Sequence, residues 1–146
     1  GGRVKVFRAS TEKTLRSYSP YKSSVQYVHL ACPGGPQGIG LIGGRLDWRT
    51  VASVLRKHLH KLGPNEKRIL VLSCCHSADG LTVLHPALDG YFTGYYYFAK
   101  ASVPFAMAIT VWAMFYHKKT LADPHGRVCS SINGFCGSSV LAFKNG

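Results

Sequence analysis

Ile69-Leu70-Val71-Leu72-Ser73-Cys74-Cys75-His76-Ser77 is the stretch on which the reading of this chain turns. Four consecutive apolar residues, in a run too short for a helix, describe a strand buried on both faces, as in a parallel sheet. A cysteine pair at the end of such a strand stands where an open α/β sheet offers groups to a ligand crevice. Asp79-Gly80, just beyond, is expected to break the chain toward a loop. The stretch therefore sets a thiol at the rim of a sheet, where an α/β enzyme would carry a nucleophile.

Upstream, residues 25–32 (VQYVHLAC) read as a second strand, stopped by Pro33-Gly34-Gly35-Pro36. Asp47 suits the N-cap of a helix over residues 48–62. Trp48, Val51, Ala52, Leu55, Leu59 and Leu62 form its apolar stripe, and Gly63-Pro64 is expected to end it. A strand over residues 68–73 follows. Residues 4–8 read as a further short strand. Downstream, residues 91–100 read as a helix, 105–112 as strand-like with a helix as the alternative, and 115–121 as a short helix. Residues 128–132 and 139–143 read as short strands. Strands alternating with helices predict one α/β domain over residues 1–146, with a mostly parallel sheet and flanking helices.

Gly38-Ile39-Gly40-Leu41-Ile42-Gly43 matches G-x-G-x-x-G. A dinucleotide site needs that motif directly between a strand and the helix it opens. Here both neighbours are offset by several residues, so a glycine loop or hairpin is the better reading.

The chain has 146 residues, with 18 Lys and Arg against 6 Asp and Glu, a formal charge of +12. Such a balance favours acidic partners: nucleic acid, anionic headgroups or an acidic protein. Arg56, Lys57, Lys61, Lys67 and Arg68 are the candidate binding residues. The charges are spread along the chain, so a disordered basic tail is not expected. No apolar stretch is long enough to span a membrane. The start, Gly1-Gly2-Arg3-Val4-Lys5, has no apolar core, so no signal peptide is expected.

Five cysteines, two of them adjacent, do not suggest a disulfide framework. An intracellular, reducing compartment, cytoplasm or nucleus, is expected. Cys129 and Cys136, with His125 nearby, lack the C-x-x-C pairing of strong zinc sites. Neither a metal nor another cofactor is expected.

The strand ends at Ala31-Cys32-Pro33-Gly34-Gly35 and Ser73-Cys74-Cys75-His76-Ser77 are joined by one helix, which makes their strands expected parallel neighbours. At these two segments the chain resembles the caspase-like cysteine peptidases, a group that includes metacaspases and CHAT-domain proteins. Cys74-Cys75-His76-Ser77-Ala78 is similar to the metacaspase cysteine pair and its His-Ser-Gly. Val71-Leu72-Ser73-Cys74-Cys75 is similar to the CHAT Val-Leu-Ser-x-Cys pattern. The resemblance covers roughly residues 25–113. It implies a caspase-like sheet, Cys75 as nucleophile and Gly34 as the oxyanion glycine. It also implies a catalytic histidine immediately before that glycine, where this chain has Pro33.

That departure matters, because a thiol with a pKa near 8.5 needs a base or a positive environment to attack at neutral pH. Pro33 moves no proton. His29 lies four residues earlier, about 13 Å along an extended strand, on the same strand face. His76 adjoins Cys75, but neighbours on an extended chain point to opposite sides. Either another histidine, with His29 the candidate, serves as the base, or proteolysis has been lost and the fold kept. Cys74 is expected to face the core. His58 and His60 are expected in solvent, and His85 and His117 in loops or on the surface. Tyr95-Tyr96-Tyr97-Phe98 reads as helix packing, with a base-stacking surface or a substrate groove as the alternative.

The expected function is a cysteine peptidase acting on a protein or peptide, or a catalytically impaired relative. Two other classes stay open: a basic non-catalytic module for nucleic acid or an acidic protein, and a small basic nuclease or toxin using a histidine pair.

Overall fold

The central apolar run forms β5 (Ile69–Ser73), and the rest of the molecule is arranged around it. The computed structural model describes residues 3–17, 25–118 and 124–146. β5 lies between β1 (Tyr27–Ala31) and β6 (Gly94–Phe98), parallel to both. β7 (Leu141–Asn145) pairs antiparallel with β6, giving a four-stranded sheet in the order β1-β5-β6-β7. Leu70, Val71 and Leu72 are all 0 % exposed. Their side chains alternate between faces. Leu70 and Leu72 enter a core with α2 (Trp48–His58) and α3 (Ser77–Ala87). Val71 enters a second core with α4 (Phe105–Lys118) and α5 (His125–Cys136). The mostly parallel α/β sandwich expected from the sequence is therefore present.

Between β1 and α2 the chain makes a second, antiparallel sheet of β2 (Gly34–Gly35), β3 (Gly38–Leu41) and β4 (Gly44–Asp47). The G-x-G-x-x-G segment is thus a hairpin and opens no helix. Its tip needs glycine: Gly43 has φ 90° and Gly44 φ 156°. A short helix, α1 (Glu12–Ser17), precedes the sheets.

Asp47 caps α2 as expected, accepting from the Thr50 N–H at 2.8 Å. The helix ends at His58, short of Leu62, because long-range bonds take over its final turn. Leu59 turns extended into the core, the Leu62 N–H donates to Gly90 O at 2.8 Å, and His60 O accepts from Arg68.

Several expected elements change type. Residues 91–100 contain β6, not a helix. Tyr95 packs in one core and Tyr96 in the other, the alternation of a strand, and aromatic residues favour that geometry. Residues 105–112 are helical within the single helix α4, which takes in the start of the expected 115–121 helix; 119–121 lie outside the described residues. Residues 128–132 belong to α5, with Val128 and Ile132 one turn apart on its buried face. Residues 4–8 form no strand, and Val4 and Val6 are exposed. Asp79-Gly80 lies inside α3 and breaks nothing. A Cβ on Gly80 would stand 2.4 Å from the Trp48 ring, so the glycine is there for helix contact.

Candidate functional site

The parallel register runs from Tyr27↔Ile69 to Ala31↔Ser73, so β1 and β5 end level on one rim. One residue on, Cys32 and Cys74 face each other with sulfurs 3.4 Å apart. Cys74 is 0 % exposed, in the core as expected. The hydrogen bond with Cys32, and then burial, push its thiol pKa well above the usual value.

Cys75 is half-buried at the rim. The Val103 N–H donates to its sulfur at 3.3 Å, and its thiol points to Val103 O at 3.7 Å. Gly34 fits closely against this segment. A Cβ there would lie 2.4 Å from Cys75 O, 2.8 Å from Cys74 Cβ and 3.1 Å from Cys75 N. The two strand ends thus bring Cys75 and Gly34 together, with Pro33 beside Gly34.

His29 is placed differently. It pairs in register with Val71, four residues before Cys75, and the separation along the strand is again about 13 Å. Its ring lies 5.2 Å from that of Trp112 and 5.5 Å from that of Tyr116. Its Nδ1 is hydrogen-bonded to the Tyr116 hydroxyl at 2.7 Å. Crowding of the ring against these aromatics lowers its pKa to about 4, although the residue keeps an exposed face and solvent moderates the shift. Burial, and then Tyr27, raise that of Tyr116 to about 12. An unprotonated Nδ1 accepts from the Tyr116 hydroxyl, and a protonated Nδ1–H donates to its oxygen.

Because the folded pKa lies below the ordinary histidine value of 6.5, the unfolded chain takes up the proton first as pH falls. The His29 contribution is therefore intact above about pH 6.5, declines through pH 6.5–4, and levels off below that. Urea midpoints at pH 7.5 and 4.5 should show a smaller acid loss in His29→Gln than in the native chain. Equal losses would place the acid sensitivity elsewhere.

His76 leaves the strand conformation altogether. Its φ of 58° is the left-handed region, unusual for a residue with a side chain, and it turns the chain from β5 into α3. Its N–H donates to Ala101 O at 3.0 Å. Its Nε2 lies 3.3 Å from Ser102 Oγ and its Nδ1 3.5 Å from Asp79 Oδ2, while Lys100 Nζ is 3.7 Å from Asp79 Oδ1. The chain is not extended at this turn, so the side chains of Cys75 and His76 do not alternate as they would along a strand. Beside it, the buried Ser77 hydroxyl accepts from the Phe98 N–H at 2.8 Å and ties the start of α3 to β6.

Sequence reasoning missed Asp79, Lys100 and Ser102. Asp79 had a local signal, standing three residues after His76 at a helix start. Lys100 and Ser102 arrive from a loop after β6, which the expected helix over 91–100 concealed.

Of the candidate basic residues, Arg56, Lys57, Lys61 and Lys67 are exposed. Arg49 and Arg56 line an open groove with Thr82, Val83, Pro86 and Ala87. Arg68 is not on that surface. It is 2 % exposed and donates to Val25 O, His60 O and Tyr91 O at 3.3, 3.0 and 3.0 Å. His58 is likewise buried, 3.2 Å from Leu15 O, rather than solvated. His60 pairs with Glu66 at 2.9 Å. His85 lies in α3, edge-on to Tyr95. Tyr95 and Tyr96 are buried, which removes both from any base-stacking surface. His125 stacks on Phe143 and is hydrogen-bonded to the Tyr96 hydroxyl.

Among the described residues no three His, Cys, Asp or Glu side chains are grouped to hold a metal ion, and no helix is long and apolar enough to cross a membrane. No family model matches the chain, and neither a curated protein nor a solved structure is significantly similar to it.

Proposed function

We propose that the chain is a caspase-like cysteine-peptidase core in a catalytically impaired form, with the rim around Cys75 and Gly34 as its peptide-binding point. One observation carries this reading. Cys75 stands just past the end of a central parallel strand with Gly34 packed on its backbone, yet among the described residues its sulfur is hydrogen-bonded to the Val103 backbone and to no imidazole. The first half of that arrangement suits a thiol nucleophile beside an oxyanion glycine. The second half supports loss of turnover. Pro33 carries no transferable proton, and His29 is committed to Tyr116.

The test is alkylation of Cys75 by iodoacetamide between pH 5 and 10, with Cys75→Ala and His29→Ala as controls. Slow labelling with an ordinary thiol profile is expected, changing less than about twofold in His29→Ala, with no cleavage of an unfolded protein substrate. Rapid labelling near pH 6 that collapses in His29→Ala would overturn the impaired reading and make His29 the base.

A second reading, a basic binding module, is supported by the exposed Arg49, Arg56, Lys57, Lys61 and Lys67 and the formal charge of +12. Binding of a single-stranded oligonucleotide that weakens steeply with salt, and further in Arg56→Ala/Lys57→Ala, is the outcome it requires.

A further inference from the structure

Cys32 and Cys74 have no part in the reading of Cys75, and their geometry has its own chemistry. The β1–β5 register ends at Ala31↔Ser73, and the two cysteines follow directly on these level strand ends, side by side. Adjacent strands run about 4.8 Å apart, inside the Cα separation a disulfide accepts. The sulfurs already stand 3.4 Å apart and need only close to the roughly 2.0 Å of a bond. The two thiols differ in access: Cys32 is half-buried and Cys74 is fully buried.

We propose that Cys32 and Cys74 are an oxidation site, closed to a disulfide across the β1–β5 seam by a low-molecular-weight disulfide. Cys32 gives its proton to solvent and its sulfur attacks one sulfur of the reagent. The reagent S–S bond breaks, and one half leaves as a thiolate that is then protonated. Cys74 then gives up its proton and attacks the Cys32 sulfur of the mixed disulfide, expelling the second half as thiolate. Two protein thiols are oxidised by two electrons, and one reagent disulfide is reduced to two thiols. The order of attack follows access, since the reagent reaches Cys32 and Cys74 meets only Cys32. Hydrogen bonding and burial hold the proton on Cys74 and make the second step the slower one. The product ties together the backbone that seats Gly34 against Cys75.

The experiment treats the folded chain with glutathione disulfide at pH 8, blocks remaining thiols with N-ethylmaleimide, and maps linkages by mass spectrometry after digestion. The expected product is a single peptide pair joining Cys32 to Cys74, with Cys75 alkylated. It should form equally in Cys75→Ser and disappear in Cys32→Ser. That variant changes the half-buried partner and leaves the buried one in place. The oxidised chain should show a higher urea midpoint than the reduced one. Linkage of Cys32 to Cys75, a lasting glutathione adduct on Cys32, or linkage only in urea would each overturn the proposal.

Discussion

Replacing Arg68 by Ala is expected to cost about 3–5 kcal/mol of folding free energy, read as a lower urea midpoint and a melting temperature reduced by roughly 10–15 °C. Arg68 is 2 % exposed. A guanidinium inside a protein is tolerated only when its donors are occupied. Here they reach Val25 O, His60 O and Tyr91 O, carbonyls from three separate segments of chain. The Arg68 backbone adds to this, its N–H donating to Thr93 Oγ1 and its carbonyl accepting from the Thr93 hydroxyl and N–H. Ala leaves the three carbonyls without their donor and opens a void that water only partly fills. Lys restores the charge but not the forked geometry, so Arg68→Lys should recover only part of the loss. A cost under about 1 kcal/mol for Arg68→Ala would mean that these carbonyls find other partners.

Gly80→Ala should be the second large effect, and two opposed terms decide its sign. Within a helix the exchange gains up to about 1 kcal/mol of propensity. Against that, the new methyl would stand 2.4 Å from Cδ2 and Cε2 of Trp48. The indole has little room to yield. It is 3 % exposed, and its Nε1–H donates to Pro36 O at 3.1 Å. Forcing α3 away from α2 costs about 1–3 kcal/mol or more, so a net destabilisation is expected by urea unfolding. Gly134→Ala is the matched control, because a Cβ there meets nothing within 4 Å. It lies inside α5 and should be neutral or stabilising.

The parts of the fold legible in the sequence were those whose burial leaves a local imprint. Val71 with its leucine neighbours, and Asp47 before Trp48, carry their meaning within a few residues. The tyrosine run did not. Period two and period 3.6 cannot be told apart in a run that is apolar throughout, and only pairing with β5 made it a strand. Val128 and Ile132 fit a strand or a helix face until Asn133 is seen bonding to Val140, Leu141 and their strand. Gly80 read as a breaker because the ring it accommodates lies 32 positions away in sequence. At the rim, the meeting of Cys75 with Gly34 followed from two strand ends and a connecting helix. The commitment of His29 to Tyr116 depended on α4, which the sequence divided between two elements. Arg68 was counted as surface charge because nothing local distinguishes a solvated arginine from one that holds three carbonyls.

β5 is flanked by strands on both edges and covered by helices on both faces, whereas β1 has a strand partner on one side alone among the described residues. In the language of local opening, the β5 amides are expected to exchange with solvent only when the whole domain unfolds. Cys74 and Cys75 therefore follow directly on the strand expected to open last. The groups that face them are Cys32, just past the end of β1, Gly34 in β2 and Val103 in a loop. Slower hydrogen exchange of the β5 amides than of those in β1 would mean that whatever enters this rim, reagent or peptide, is admitted by movement of its outer walls.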